Sequence, residues 1–118
     1  MCNNSMGRYY KISHMKGVTK MKKLFISQPM KGKTDEEILA TRKKAIKIAK
    51  ELIGEPVEVI DSFFQSAPVD VKPLWFLGKS LELLSTADMA YFAEDWDKNR
   101  GCRIERVCAL LYDIEIIY

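Results

Sequence analysis

The stretch MKKLFISQPMKGKTDEEI, residues 21–38, contains a strand, a loop and the start of a helix in immediate succession. Leu24, Phe25 and Ile26 form a short apolar run that is typical of a buried strand, and residues 27–32 end it with groups that disfavour strands. Thr34 and Glu37 have the spacing of a capping box, in which each side chain bonds the backbone amide of the other. The stretch therefore predicts the first half of a βαβ unit.

The same alternation continues along the chain. Apolar runs predict three further strands at residues 57–61, 88–92 and 114–117, and helices are predicted at residues 34–53, 73–84 and 101–112. Strands that alternate with helices favour a parallel sheet with right-handed crossovers. We predict an α/β three-layer sandwich of the flavodoxin or Rossmann-like type, with a four-stranded parallel sheet in the order 2-1-3-4.

Apolar residues at helical spacing predict which face of each helix lies against that sheet. The spacing is clearest in the third helix, where it follows the i, i+3, i+4, i+7 pattern. The predicted buried residues are Ile38, Ala45, Ile48, Ala49 and Leu52 in the first helix, Leu74, Leu77, Leu81 and Leu84 in the second, and Ile104, Val107, Cys108 and Leu111 in the third.

The composition limits the class of protein. A chain of 118 residues with 47% apolar and 30% charged residues fits one globular domain. We expect that domain at residues 21–118, after a mobile leader or upstream-start segment at residues 1–20. Residues 1–23 hold six of the 19 basic groups and no acidic group, so residues 24–118 contain thirteen basic and sixteen acidic groups. This balance disfavours a nucleic-acid partner.

Cysteine usage and hydropathy bear on location and metals. Cys102 and Cys108 are six residues apart on one predicted helix, roughly 9 Å along its axis, which is beyond disulfide reach. No CxxC motif occurs, and His14 in the leader is the only histidine. No apolar run has the length of a signal peptide or a membrane span. We expect a reduced, cytoplasmic protein of a bacterial or phage-infected cell, without membrane association, metal or cofactor.

The predicted sheet order also predicts where a ligand binds. In an open parallel sheet the ligand crevice lies beyond the carboxyl ends of the strands at the point where the order reverses, here between strands one and three. The loops at residues 27–32 and 94–101 would face each other there. Gly101 opens the third helix, whose first amides attract anions, and Asn99 and Arg100 add a polar group and a cation. Most helices, however, begin with a similar set of residues.

Carboxylates near this edge allow two interpretations each. Glu105 lies off the apolar stripe of the third helix, so it either points toward the crevice or is a solvated charge near the positive helix end. Asp61 either reaches a ligand hydroxyl or begins a turn. Asp95 and Asp97 beside Trp96 form either a base-stacking, ribose-binding corner or exposed charges next to a tryptophan that closes one end of the core.

Three segments carry a resemblance to a known family: FISQPMKG at residues 25–32, VIDSFF at residues 59–64, and residues 96–105 with RGCRIE at their end. Through them residues 21–117 resemble an uncharacterised family of small phage, prophage and bacterial proteins related to the nucleoside 2-deoxyribosyltransferases. In those enzymes a glycine precedes a nucleophilic glutamate by four residues, and Gly101 and Glu105 reproduce that spacing.

The resemblance implies a division of roles within the site. Glu105 would be the catalytic nucleophile that attacks an anomeric carbon. The remaining matched residues would contact a nucleoside or nucleotide, and the relatives imply a homo-oligomer. The predicted ligand-binding residues are Ser27, Gln28, Pro29, Met30, Gly32, Asp61, Asp95, Trp96, Asn99, Arg100, Gly101, Cys102 and Arg103.

Two departures from the enzymes limit what the resemblance implies. Ser80 stands where an approximate alignment places their second catalytic carboxylate. Arg103 replaces a small residue and Arg106 follows the glutamate, so these cations would either pair with Glu105 or clamp a phosphate. Three functions therefore remain: an enzyme that breaks an N-glycosidic bond, a module that binds a nucleotide or an ADP-ribose-type signal unchanged, and a dimeric structural or regulatory protein.

Overall fold

The computed structural model describes residues 21–62 and 67–118. The predicted leader at residues 1–20, and Phe63 and Phe64 of the connection after the second strand, lie outside the described residues. The elements in chain order are strand β1 (Lys22–Ser27), helix α1 (Asp35–Ile53), β2 (Val57–Val59), α2 (Pro73–Leu84), β3 (Met89–Phe92), a 3₁₀ turn (Trp96–Lys98), α3 (Arg100–Leu111) and β4 (Glu115–Ile117).

The four strands form one sheet in the order β2-β1-β3-β4, and every neighbouring pair is parallel. This confirms the predicted α/β class and strand order, and the arrangement is Rossmann-like. Ser27, the last residue of β1, pairs with Phe92, the last residue of β3. The carboxyl ends of the two central strands therefore finish level with each other at one edge of the sheet.

The core lies on both faces of the sheet. On one face Leu24 and Ile26 of β1 pack with Ala45 and Ala49 of α1. On the other, Phe25 of β1 belongs to a second cluster; its further members are Ile60, Leu84, Ala90, Phe92 and Ala109, with Leu81, Trp96 and Cys108 packed against them. Alternate side chains of a strand point to opposite faces, so β1 contributes to both clusters. Helix α1 covers the first face, and α2 and α3 cover the second.

Helix α1 begins and ends as its sequence predicts. Thr34 accepts a hydrogen bond from the Glu37 backbone N–H at 3.1 Å, while the Glu37 carboxylate accepts one from the Thr34 N–H at 2.9 Å. Gly54 closes the helix at φ 71°, a left-handed conformation that glycine adopts without a Cβ penalty. The predicted buried face is correct at Ile38, Ala45 and Ala49 but wrong at Leu52, which is 63% exposed.

Helix α3 is rotated relative to the prediction. Its buried residues are Cys102, Glu105 and Ala109, whereas Val107 is 51% and Leu111 70% exposed. The Asn99 cap, the hydrogen bond of Glu105 with Ser27 and the packing of Ala109 in the second core cluster hold the helix in this rotation. In helix α2 the predicted burial is correct at Leu84, the fully buried residue of that helix, and wrong at Leu74, which is 74% exposed.

The remaining differences are local. The 3₁₀ turn Trp96–Lys98 interrupts what the sequence predicts as a loop, and Asp95 precedes it at φ 68°. Strand β2 ends at Val59, two residues earlier than predicted. Within the described part of the chain, no helix combines the length and the apolar character needed to cross a bilayer.

Candidate functional site

Two adjacent polar residues at the carboxyl end of β1 organise the site. Ser27 and Gln28 are only 2% and 7% exposed. Their side chains leave the strand on opposite faces: the Ser27 hydroxyl reaches Glu105 of α3, and the Gln28 amide reaches the carbonyl of Ile38 in α1. The end of β1 therefore links the helices on the two sides of the sheet.

Glu105 is the buried carboxylate of this edge. Its side chain turns inward from α3, and Ser27 Oγ donates a hydrogen bond to Glu105 Oε1 at 2.6 Å. The residue is 8% exposed, so the interpretation of Glu105 as a solvated surface charge is wrong. A carboxylate in this position is costly to desolvate unless donors face it, and Ser27 is one such donor.

The protonation of Glu105 follows from opposing effects. Burial raises the pKa of Glu105 above its ordinary value, while the hydroxyls of Ser27 and Ser80 act in the other direction and lower it. Ser80 of α2 thus lies beside Glu105 as a neutral hydroxyl. A carboxyl group with a raised pKa keeps its proton to a higher pH than an exposed one, and it can act as a nucleophile once ionised.

Cys102 lies in the same buried cluster and is 3% exposed. Burial raises the pKa of its thiol to about 11, with the nearby Glu105 charge adding to the effect and a contact with the Ser27 hydroxyl opposing it. The thiol is therefore protonated at neutral pH and is a poor nucleophile. Cys102 and Cys108 are both free, as their spacing predicts.

Asn99 and Gly101 shape the start of α3. The Asn99 side chain accepts a hydrogen bond from the Cys102 backbone N–H at 2.9 Å, which makes Asn99 the N-cap of the helix. A Cβ on Gly101 would lie 3.4 Å from Asn99 Oδ1, at the limit of an ordinary contact. The predicted anion cradle is thus in part occupied by its own cap, while Arg100 and Arg103 are exposed beside it.

Of the two roles that the sequence leaves open for Arg103 and Arg106, pairing with Glu105 is not found among the described residues, whose salt bridges join Lys79 to Glu82 and Lys98 to Asp95. Arg106 instead donates to the Tyr118 hydroxyl at 2.8 Å and lies 4.7 Å from the centre of the Trp96 ring. Neither Arg103 nor Arg106 forms a salt bridge with Glu105, so these arginines of α3 do not neutralise the carboxylate.

Trp96 lies near the β4 edge of the sheet. Its ring lies 6.3 Å from that of Tyr118, which follows the edge strand β4, and 6.1 Å from that of Phe92. Trp96 also packs against the second core cluster. These contacts favour the interpretation of Trp96 as a residue that closes one end of the core, because they place it on the β4 side of β3, whereas the predicted crevice lies between β1 and β3.

The other predicted ligand contacts are distributed around the edge. Pro29 and Met30 are half-buried, and a turn in which the Lys33 N–H bonds the Met30 carbonyl places Gly32 at φ 79°. Asp61 is exposed two residues after the end of β2, and exposed Asp95 pairs with Lys98 at 3.4 Å. The structure therefore brings Ser27, Cys102 and Glu105 into one cluster and leaves Asp61 and Asp95 at its periphery.

Arg42 is a site-edge residue that the sequence analysis missed. It is 8% exposed, and its guanidinium donates to the Ile60 carbonyl at 3.0 Å and to the Ser62 hydroxyl at 3.3 Å. Burial lowers the pKa of Arg42, and the charge of Asp61 opposes that effect. The available signal was its position, four residues after Ile38 and three before Ala45 on the apolar face of α1.

Gln28 carries an unusual feature at the same edge. Its Nε2 donates to the Ile38 carbonyl at 3.2 Å, which fixes the orientation of the amide, and its buried Oε1 has no hydrogen-bond partner within residues 21–62 and 67–118. Such an acceptor costs about 1–3 kcal/mol when it stays unpaired. For metal binding, residues 21–62 and 67–118 contain no group of three or more His, Cys, Asp or Glu side chains suited to hold an ion.

Comparisons with protein-family models, with curated proteins and with solved structures find no match to this chain.

Proposed function

We propose that the protein breaks the N-glycosidic bond of a nucleoside or nucleotide, with Glu105 as nucleophile. The observation that carries this proposal is the buried carboxylate of Glu105 at the carboxyl edge of the central strands, held by the Ser27 hydroxyl at 2.6 Å. The resemblance of residues 21–117 to the family related to the nucleoside 2-deoxyribosyltransferases supports the same chemistry. Gly101 and Glu105 carry its most specific spacing.

The reaction would proceed in two displacements. A Glu105 oxygen attacks the anomeric carbon, the C–N bond breaks with its electron pair leaving on the base, and the base takes up a proton from water. A glycosyl ester of Glu105 remains, which water or a second base then resolves. The bond from Ser27 would fix one carboxylate oxygen and orient the other, since a positioned reactant lowers the entropic part of the barrier.

The ligand would lie across the end of β1, between Glu105 on one side and Gln28 on the other. The unpaired Gln28 Oε1 is an acceptor suited to an N–H or O–H group of the ligand. Arg100 and Arg103, exposed at the start of α3, would attract the phosphate of a nucleotide. No redox cofactor or metal is part of this proposal.

The test is release of free base from a panel of deoxynucleosides, ribonucleosides and their 5′-monophosphates, followed by chromatography. We expect release by the unaltered protein and a loss of at least a hundredfold in Glu105→Gln, because the amide is not a nucleophile. Glu51→Gln, at an exposed position of α1, is the matched control and should retain the rate. A complete absence of release from every compound would contradict the proposal.

Ser80 favours a second candidate function. It places a neutral hydroxyl, and not a second carboxylate, beside Glu105, so a general acid for the departing base is missing from that position. The alternative is a module that binds a nucleotide or an ADP-ribose-type signal without changing it. Here equilibrium dialysis should show saturable binding, and the ligand recovered after denaturation should be intact; recovery of cleaved products would exclude this candidate.

A further inference from the structure

Gln28 holds a buried hydrogen-bond acceptor at the carboxyl end of β1. The residue is 7% exposed, and its Oε1 has no hydrogen-bond partner within residues 21–62 and 67–118. Buried polar atoms of folded proteins are almost always paired, either with protein or with ordered water. An unpaired acceptor at the edge where the ligand is expected therefore indicates a ligand group that donates a hydrogen bond.

The amide of Gln28 is oriented so that it offers only an acceptor at this position. Its Nε2 donates to the Ile38 carbonyl of α1, and a half-turn of the amide would place Oε1 against that carbonyl, where two acceptors repel each other. Arg42, the buried cation on the same face of the sheet, donates to the Ile60 carbonyl and the Ser62 hydroxyl instead. The fixed Oε1 is therefore complementary to an N–H or O–H group and disfavours a carbonyl oxygen.

The proposed reaction places the departing base on the Gln28 side of the ligand. A nucleophile and a leaving group lie on opposite sides of the carbon at which the displacement occurs. Glu105 lies on the α3 side of the sheet edge and Gln28 on the α1 side, because Ser27 and Gln28 leave β1 on opposite faces. Consecutive Cα atoms are only about 3.8 Å apart, so one nucleoside can reach from Glu105 to Gln28. An anomeric carbon at Glu105 thus directs the base toward Gln28.

The bases differ in the groups that they present on the edge remote from the sugar. Adenine and cytosine carry an exocyclic amino group there, which donates hydrogen bonds, whereas thymine carries a carbonyl oxygen at the corresponding position. A site that is built to bond an N–H group rejects an analogue without it, because the polar group of the protein then stays unpaired. A fixed acceptor is therefore a means of selecting amino-bearing bases.

We infer that Gln28 is a specificity-determining residue whose Oε1 accepts a hydrogen bond from the exocyclic amino group of the base, so that the preferred ligands are nucleosides or nucleotides of adenine or cytosine. The inference rests on the proposed function, since the direction of the base follows from Glu105 as nucleophile. Gln28 takes no part in proton transfer, because its amide group does not ionise.

Analogues that differ only in the amino group provide the test. Equilibrium dialysis with the Glu105→Gln variant, which should leave its ligand intact, compares 2′-deoxyadenosine with the purine deoxyriboside that lacks the 6-amino group. It also compares 2′-deoxycytidine with the analogue that lacks the 4-amino group. At least one amino compound should bind about tenfold or more tightly than its analogue. Equal binding within both pairs, or no binding of any of the four compounds, would overturn the inference.

Gln28→Met in the Glu105→Gln background tests the residue itself. Methionine is also unbranched and flexible, and its thioether is only a weak acceptor. The variant should weaken binding of the amino compound alone and so remove the preference, while Lys47→Met, at an exposed position of α1, should retain it. A preference that survives Gln28→Met would contradict the assignment. The comparison of analogues decides the question without this variant if Gln28→Met does not fold.

Base release by the unaltered protein separates this inference from the proposed function. Release at equal rates from the amino compounds and their analogues would overturn the role of Gln28 and leave the glycosidase in place. Preferential binding of an amino compound without any release would retain the role of Gln28 and contradict the glycosidase.

Discussion

Burial of the Glu105 carboxylate is unfavourable for folding, and the same burial makes the side chain suited to a function at the sheet edge. It is one of three inward-facing residues of α3, and the other two, Cys102 and Ala109, are small and nearly apolar. Replacing water around a carboxylate by protein is unfavourable, and the hydroxyls of Ser27 and Ser80 offset only part of that cost, since the pKa of Glu105 stays raised. A carboxylate that is kept at such a cost is suited to binding or chemistry at that edge.

The raised pKa of Glu105 predicts a pH-dependent stability. Below its ordinary value of 4.5 both the folded and the unfolded chain hold the proton, and no penalty exists. As pH rises, the unfolded chain releases the proton first, so the free energy of unfolding falls until the folded-state pKa is passed. Glu105→Gln should therefore raise the melting temperature at pH 7 and leave it nearly unchanged near pH 4, with about 1.4 kcal/mol for each unit of pKa difference.

Calorimetry or circular dichroism melts across that pH range would provide the measurement. Glu115→Gln, at an exposed position of β4, is a matched control in which the melting temperature should change little at either pH. A Glu105→Gln variant that melts lower at pH 7, or one whose melting temperature differs from that of the unaltered protein by the same amount at both pH values, would contradict this account of Glu105.

At the level of elements, the start of α3 decides where Glu105 points. The 3₁₀ turn Trp96–Lys98 and the N-cap Asn99 determine where the first turn of the helix begins. The direction of the Glu105 side chain then follows from the 3.6-residue turn of the helix. The Arg106 contacts with Trp96 and Tyr118 hold the adjacent side of α3 against the β4 edge. Cap and side-chain contacts thus fix the rotation of the helix, and with it the face that meets β1.

Asn99 is therefore expected to act through the helix. Asn99→Ala removes the acceptor for the Cys102 N–H and should lower the free energy of unfolding by about 1 kcal/mol, whereas Asn99→Asp should retain the cap and remain close to the unaltered protein. Urea unfolding followed by far-ultraviolet circular dichroism measures both variants. Equal destabilisation by alanine and aspartate would show that the cap does not hold α3 in place.

At the level of the whole molecule, the sheet divides the core into two clusters that share the same strands. Ile26 belongs to the α1 side and Phe25 to the α2 and α3 side, although they are adjacent in β1. If β1 separates from one cluster, the other cluster is exposed as well. The described fold should therefore unfold as one cooperative unit.

Ile26→Ala tests this cooperativity. The residue is 1% exposed, and its truncation should cost about 2–5 kcal/mol. Tryptophan fluorescence reports on Trp75 of α2 and Trp96 before α3, both on the far side of the sheet from the substituted cluster. The fluorescence and circular dichroism transitions should shift together; a fluorescence transition that stays at its original denaturant concentration would show that the two sides unfold independently.

The predictable part of the fold follows from short-range rules. The apolar run of β1, the capping box of Thr34 and Glu37 and the regular alternation of elements depend on neighbours a few residues apart, and they led to the correct strand order. The errors lie where long-range packing competes with periodicity. In α3 the apolar stripe predicts one buried face, and contact with the ends of β1 and β3 selects another.

The candidate site was predictable in position and not in its contacts. Strand order alone predicts an edge where β1 and β3 end, and Glu105 was found there because it falls off the apolar stripe. The sequence offered no means of pairing Ser27 with Glu105, which are 78 residues apart, or of showing that Arg42 is buried against Ile60 and Ser62. Such contacts arise only when crossover connections bring distant segments together.

The sequence by itself determined the class of the protein: a βαβ-type chain with a parallel sheet, caps at predictable residues and a polar edge at the carboxyl ends of its strands. Only the tertiary structure decided which face of α3 turns inward. The inward face carries Glu105 and the outward face carries the Val107 stripe, and the periodic pattern alone favours the reverse. The physical reason is that helix periodicity defines a possible contact face, while the space left between packed elements determines which side chains occupy it.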